Sequence, residues 1–322
     1  MHVTIAPGVR LFVDIQGPSL VPDGPVMREK PTLVLLHGGP GYDHSGFKPA
    51  FSRLADIAQI VYYDHRGHGR SDRRPADEWT LDTFADDVVR LCDALGIVKP
   101  IVLGQSFGGF VAQRYIERHP AHAAKVVLSS TSPHMGLPRK LAMFERLGGR
   151  EARDVAERFW TQPNETTWAE YERVCKQHYN TARPANDDAS RRIVFNTDIL
   201  FTSARGEQQS MNLLPGLSRA QCPVLVMAGE LDPVCPLDDA RATLPPRSPR
   251  SGCSSRASRT RATAPGATNP TRPSRGCASS CFSRQSTTAS PRRAVCGVCP
   301  RHLKPACGPS ARGSTSASSR RQ

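Results

Sequence analysis

Residues 100–118 read PIVLGQSFGGFVAQRYIER, and this stretch decides the fold. Pro100–Leu103 has the apolar character of a buried strand, Gly104–Gly109 that of a tight turn, and Phe110–Arg118 that of a helix. Inside the turn, Gly104-Gln105-Ser106-Phe107-Gly108 matches G-x-S-x-G. Between a strand and a helix, that spacing lifts a serine hydroxyl out of a sheet, and the helix behind supplies backbone N–H groups and a positive dipole end. Ser106 is therefore the candidate nucleophile.

Outward from this point the chain alternates. Lys125–Ser129 follows as a strand. Leu81–Leu95 precedes it with helical periodicity, carrying Phe84, Val88, Leu91 and Leu95 on one face. Ile60–Tyr63 and Thr32–Leu36 are continuous apolar runs, expected of strands buried on both faces. Phe47–Ile57 between them is helix-like. His2–Ile5 and Val9–Ile15 flank Pro7-Gly8 and predict an antiparallel pair. Strand and helix in alternation imply a mostly parallel sheet with helices on both faces. The alternation lapses from Ser132 to Pro215, a stretch helical in character that holds Trp160, Trp168 and Tyr171. It is expected to form a cap over the sheet edge that carries the loops. The core resumes at Pro223–Ala228. The expected division is core 1–131, cap 132–215, core 216–243 and a basic tail 244–322.

His37-Gly38-Gly39-Pro40-Gly41 follows the Thr32–Leu36 strand, where the second oxyanion donor of such a fold lies. Gly39 N–H and Phe107 N–H are the assigned donors, each typically contributing about 3–4 kcal/mol to transition-state stabilisation. His37 is expected to be a structural hydrogen-bonding residue and not the general base.

Three motifs in this order, HGGPG at 37–41, DHRGHGRS at 64–71 and GQSFGG at 104–109, resemble the proline iminopeptidase group of the α/β-hydrolase fold. The resemblance runs from about Thr32 to Asp232. It implies a serine hydrolase without metal or cofactor that releases N-terminal residues from peptides, often proline. Relatives with similar motifs cleave esters, amides or other bonds, so an esterase or carbon–carbon bond hydrolase is the enzyme alternative. An aspartate nucleophile is disfavoured, because position 106 is Ser. The resemblance also makes Asp64, Arg66 and Ser71 parts of a scaffold loop beside the site. Gly229-Glu230-Leu231-Asp232-Pro233 matches the turn carrying the triad acid, with Asp232 favoured over Glu230. An aminopeptidase needs cap carboxylates for the free amine. Glu165, Glu170, Glu172, Asp198 and Glu207 are candidates, each set against the plainer role of a solvated helix face.

The net charge of +14 would suggest nucleic acid or an anionic membrane, but its distribution does not. Of 43 Lys and Arg, 16 lie from Arg241 onward, and the last of 29 acidic residues is Asp239, so the body carries a net −2. A small peptide or small-molecule substrate is expected, with no specific nucleic-acid partner and no membrane. Met1–Phe12 lacks the basic start and apolar run of a signal peptide, and no apolar run approaches the roughly 18 residues of a membrane span. Cys92, Cys175, Cys222 and Cys235 show no paired spacing, which fits reduced thiols in a cytoplasmic protein.

Residues 244–322 hold only five Leu, Ile, Val or Phe in 79 positions, too few to offset ordering entropy, and are expected to be disordered. The triad histidine should fall some 25–35 residues beyond Asp232, yet His178 and His302 are consecutive histidines. A shift of reading frame near 244–252 would account for both features. One permitted back-translation of Thr260–Gly266, read from its third base, encodes Ala-Gly-His-Gly-Ala-Trp. The chain as written is then expected to be an impaired hydrolase or a non-catalytic remnant. Cys296-x-x-Cys299 with His302 and Cys307 has loose zinc-ligand spacing and no apolar scaffold, so no metal site is assigned.

Overall fold

The computed structural model describes residues 1–180 and 188–243; the tail and its Cys296, Cys299, His302 and Cys307 lie outside the described residues. Nine strands form among the described residues: β1 (His2–Ala6), β2 (Val9–Gln16), β3 (Leu20–Asp23), β4 (Val26–Glu29), β5 (Thr32–Leu36), β6 (Gln59–Tyr63), β7 (Ile101–Gln105), β8 (Lys125–Ser129) and β9 (Val224–Met227). Seven make one sheet in the order β1-β2-β6-β5-β7-β8-β9, and β3 with β4 makes a separate hairpin. β1 and β2 pair antiparallel, as do β2 and β6; every other neighbour is parallel.

The apolar runs are continuous because both faces of the sheet are covered. Val34, Leu36, Val61, Tyr63, Val102 and Val126 point to one core, shared with α1 (Leu81–Ala94) and α2 (Phe107–Arg118). The alternate residues Leu33, Leu35, Ile60, Tyr62, Ile101 and Leu103 point to a second core with Phe47 and Ala58. The register sets Leu33 beside both Ile60 and Ile101, which places β5 at the centre, between β6 and β7. The α1 periodicity has its cause here: Phe84, Val88 and Leu91 are buried, and the Thr80 side chain caps the helix by accepting from Thr83 N–H.

Between β8 and β9 the chain forms α3 (Leu137–Thr161), α4 (Glu165–Val174), α5 (Asp188–Arg191), α6 (Thr197–Arg205), α7 (Glu207–Ser210) and α8 (Leu214–Leu217). Of these, α3, α4 and α6 pack around Phe144, Phe159, Trp160 and Tyr171, whereas Leu217 of α8 packs on the sheet core. The excursion is clasped at its base. His134 and Asn212 form an isolated antiparallel bridge, and Leu213 N–H donates to Pro133 O at 2.8 Å. After β9 comes α9 (Leu237–Ala242). Among the described residues no helix is long and apolar enough to cross a membrane, and the four cysteines are free and buried.

Three local expectations change. Phe47–Ile57 is not an α-helix but lies across two 3-10 turns, His44–Phe47 and Phe51–Leu54. Pro49 lacks a donor and biases Lys48 to extended backbone, which breaks the helix. A β3–β4 hairpin is added to the expected elements; its exposed strands show little hydrophobic alternation. Finally, α2 begins at Phe107 and β7 reaches Gln105, so the turn between them shrinks to Ser106. Gly108 and Gly109 weaken helix propensity but sit where no side chain fits.

Candidate active site

Ser106 adopts φ +53° and ψ −115°, a backbone state that costs an ordinary residue roughly 1–3 kcal/mol. It persists because its surroundings over-determine it. Ser106 N–H donates to Ser129 O at 3.0 Å, Gly109 N–H to Ser106 O at 2.9 Å and Thr131 Oγ1–H to Ser106 O at 2.9 Å. A Cβ at Gly104 would collide with the Gly108 carbonyl, and one at Gly108 with the carbonyls of Leu36 and His37. The glycines thus let α2 approach the sheet closely enough for its first turn to stand behind the serine. As the first residue of that helix, Phe107 keeps an N–H with no intrahelical acceptor.

The His37–Gly41 loop leaves β5 at the same sheet edge, since β5 and β7 are parallel with Leu36 opposite Gly104. Gly38 lies against Gln105, and Gly39 has φ +142°, a conformation that favours glycine. The Tyr42 ring closes on Gly39, 3.7 Å from where a Cβ would stand. His37 is buried: its Nδ1–H donates to Gly38 O at 2.8 Å and its Nε2 accepts from His65 N–H at 3.0 Å. Both ring nitrogens are spent on the loop, so His37 does not act on Ser106. It joins His65 and His68, whose rings lie 4.4 and 5.2 Å away, in a buried group against Phe107. Burial holds all three imidazoles below their ordinary range, His68 down to about 3.

The 64–71 loop braces this arrangement. Buried Asp64 accepts from His44 N–H and Nδ1–H at 2.9 and 2.6 Å and from Arg70 N–H at 2.8 Å. Ser71 Oγ donates to Asp64 O at 2.6 Å and accepts from Phe12 N–H at 2.9 Å. Arg66 pairs with both oxygens of Asp87 at 2.8 and 2.7 Å and with Glu78.

Asp232 lies in the turn after β9, across β8 from Ser106. It is fully buried. Its Oδ1 accepts from Val234 N–H at 2.9 Å and Cys235 N–H at 2.8 Å, and Ser130 adds a side-chain hydrogen bond. Its Oδ2 has no hydrogen-bond partner among the described residues. Burial pushes the carboxyl up to about 7. Ser130, at the end of β8, shares with Ser106 a positive φ, +46°. No sequence pattern singled it out. Glu230 is only partly buried, two residues from Asp232.

The cap carboxylates are scattered. Glu165 and Asp198 are exposed in the first turns of their helices. Glu170 pairs with Arg158 at 2.9 Å on the surface. Glu207 accepts from Leu81 N–H at 2.8 Å and faces Arg114 at 3.8 Å, beside a cavity of about 180 Å³ between Trp79, Phe84, Phe107, Phe110 and Met211. Glu172 pairs with Lys176 at 2.6 Å, and the Lys176 ammonium stands over the rings of Tyr42 and Trp168 at 5.4 and 5.6 Å. The cap therefore sets a cation, not an unpaired carboxylate, against the tyrosine that packs on Gly39. Tyr42 directly follows the glycine loop, the one sequence signal that could have marked it. Among the described residues no cluster of His, Cys, Asp and Glu could hold a metal ion.

This geometry can be set beside known proteins. Proline iminopeptidase PfmaB of Pestalotiopsis fici is 36% identical over 125 residues, 38% of this chain and 44% of that protein; the chain thus spans less than half of that relative's length. RutD of Caulobacter sp. (strain K31), named for carbamate hydrolysis, is 29% identical over 213 residues, 65% of this chain and 76% of RutD. The solved structure of proline iminopeptidase from Mycobacterium smegmatis superposes with a TM-score of 0.59 at 22% identity, covering 76% of this chain and 85% of that one, a likeness of fold. The profile of the alpha/beta hydrolase fold matches residues 31–250, and the chain belongs to that family.

Proposed function

We propose that this chain is built as a serine hydrolase of proline iminopeptidase type, releasing N-terminal residues from small peptides. Ser106 is the nucleophile, and the N–H groups of Gly39 and Phe107 receive the developing oxyanion. Asp232 is the acid that orients a general-base histidine and stabilises its imidazolium. No cofactor is assigned. The observation that carries this reading is the strained Ser106, held at one sheet edge beside the glycine loop, with buried Asp232 one strand further on. No histidine among the described residues is bonded to Asp232, whose Oδ2 is the atom such a base would meet.

A second reading is favoured by Lys176. Its ammonium pairs with Glu172 and lies over Tyr42. That site would repel a free amine and suits an ester, or a carbamate of the kind RutD is named for. One experiment separates the readings. The chain is treated with a fluorophosphonate probe, with Ser106→Ala as blank, and assayed on prolyl and alanyl arylamides and a short-chain ester. Weak labelling at Ser106 with arylamide turnover far below that of a complete triad is the expected outcome, because no described histidine is bonded to Asp232. Labelling with ester turnover alone moves the assignment to the second reading. Neither labelling nor turnover would make the chain a non-catalytic remnant.

A further inference from the structure

A cavity of about 180 Å³ lies where α1 and α2 meet the α6–α7 end of the cap. Its apolar lining is Leu81 and Phe84 of α1, Phe107 and Phe110 of α2, and Met211, all buried members of one core of the sheet. Close-packed interiors leave few voids larger than a water molecule. Side chains that border such a void lack neighbouring atoms on that side and gain contact when it is filled. About 150 Å³ is room enough for benzene. Neither Ser106 nor residues 37–41 line this cavity.

Two of its lining residues each carry a buried, unpaired polar atom. Gln208, on α7, is 5% exposed, and its Oε1 receives no hydrogen bond among the described residues. Trp79, just before α1, has a buried indole Nε1–H that donates to none. Buried polar groups in folded proteins are nearly all paired, so each exception calls for a partner. Both residues are fixed by their surroundings. Gly67, at φ +75°, leaves room for the indole: a Cβ there would stand 2.5 Å from Trp79 Nε1. Next to Gln208, the Gln209 side chain ties α7 to the cap, its Nε2–H groups donating to Trp160 O at 3.0 Å and Ala204 O at 2.7 Å. One lining residue offers an acceptor and the other a donor. The complementary group must do both, as a hydroxyl or a primary amide does. Charge is not called for. Glu207 spends its carboxylate on Leu81 N–H at 2.8 Å and faces Arg114 at 3.8 Å, and Asp77 is exposed. An anion would meet these carboxylates, and a cation would trade its hydration for apolar walls.

We propose that this cavity is a binding site for a compact neutral molecule with an apolar body of about benzyl size and one hydroxyl or primary amide group. That group donates to Gln208 Oε1 and accepts from Trp79 Nε1–H. The site asks nothing of Ser106: it is formed by α1, α2, α6 and α7 whether or not the serine turns over a substrate.

The test uses the full chain labelled with ¹⁵N. Trp79, Trp160 and Trp168 give three indole N–H signals, that of Trp79 being assigned by its loss in Trp79→Phe. Benzyl alcohol is the probe, and it should move the Trp79 signal saturably while Trp160 and Trp168 stay in place. In Gln208→Met, which keeps the length of the side chain and removes the acceptor, benzyl alcohol should bind about 3- to 10-fold more weakly, the worth of one hydrogen bond. Toluene, the same body without the hydroxyl, should bind Gln208→Met no more weakly than the parent. Should Gln208→Met fail to fold, Gln208→Leu makes the same comparison. Benzylamine, an ammonium at neutral pH, should bind more weakly than benzyl alcohol. No saturable shift at Trp79 overturns the inference, the cavity then holding water only. Movement of all three indoles together overturns it as well, as does equal weakening of both neutral probes by the Gln208 variants. Tighter binding of benzylamine would overturn the neutral class of ligand.

Discussion

Ser106 and Asp232 stand at the ends of strands separated only by β8, yet they are held by different means. The serine sits at the end of an inner strand, between β5 and β8, and its posture is set by backbone against backbone. The aspartate follows β9, which pairs only with β8 among the described residues, and its posture is set by two local amides and one hydroxyl. The nucleophile side is rigid because peptide groups meet at van der Waals distance. The acid side is conditional, because it depends on a few hydrogen bonds from one turn and one hydroxyl.

Glycine substitutions should expose that difference most strongly. Gly108→Ala drives a methyl into the carbonyls of Leu36 and His37. Neither can retreat without breaking the sheet, so a loss of more than about 4 kcal/mol, or no folded protein, is expected. Gly136→Ala, on the acid side, meets the tip of the Asp239 carboxylate at a residue with φ +59°. A side chain can swing and a left-handed alanine costs only about 1–2 kcal/mol, so this variant should fold and melt a few degrees lower. Urea unfolding of the two would measure the gap, and similar losses would erase the contrast.

Next in size is the response to pH, where the two sides should slope in opposite directions. Asp232 has its folded value raised from 3.8 to about 7. Between those values the native state holds a proton that the unfolded chain has released. Its contribution to stability is full below pH 3.8 and is lost as pH rises towards 7, by up to about 1.4 kcal/mol per unit. Asp232→Asn should flatten that descent in melting curves from pH 4 to 8. A descent of undiminished slope would show that another group causes it.

His68 runs the other way. Its folded value is about 3 against 6.5 unfolded, so its contribution is full above pH 6.5 and is lost as pH falls towards 3. His68→Leu gives up the hydrogen bond from Nδ1 to Arg66 O, about 1 kcal/mol at neutral pH. It should then lose less than the parent between pH 6.5 and 4.5. Denaturant midpoints at the two ends of that range decide it, and a parallel decline in both proteins would mean that His68 does not drive the acid lability of the nucleophile side.

The same contrast governs what could be foreseen from residues alone. The Ser106 turn and the His37–Gly41 loop were legible because their geometry demands glycine, and glycine at fixed spacing is visible in a string of letters. The alternation of buried strands and α1 was legible because burial on two faces and on one leaves different periods. The burial of Lys140 on α3 was invisible. A lysine on an amphipathic helix is ordinarily solvated, and only the fold shows Trp160 and Met135 closing over it. The cap carboxylates could be named but not ranked, because their ion pairs with Arg158 and Lys176 depend on how helices without a strong pattern pack. The β3–β4 hairpin escaped because exposed strands carry no buried face to reveal them.

The clasp at the base of the cap has a consequence for how such a protein can change over generations. Pro133 and Leu213 are joined by a hydrogen bond, and His134 and Asn212 by a bridge, so the excursion begins and ends at one place. A segment whose ends already touch can be lengthened, shortened or exchanged for another without moving the strands on either side. The repertoire of substrates can then drift with the insert, while the machinery beneath it is inherited unaltered.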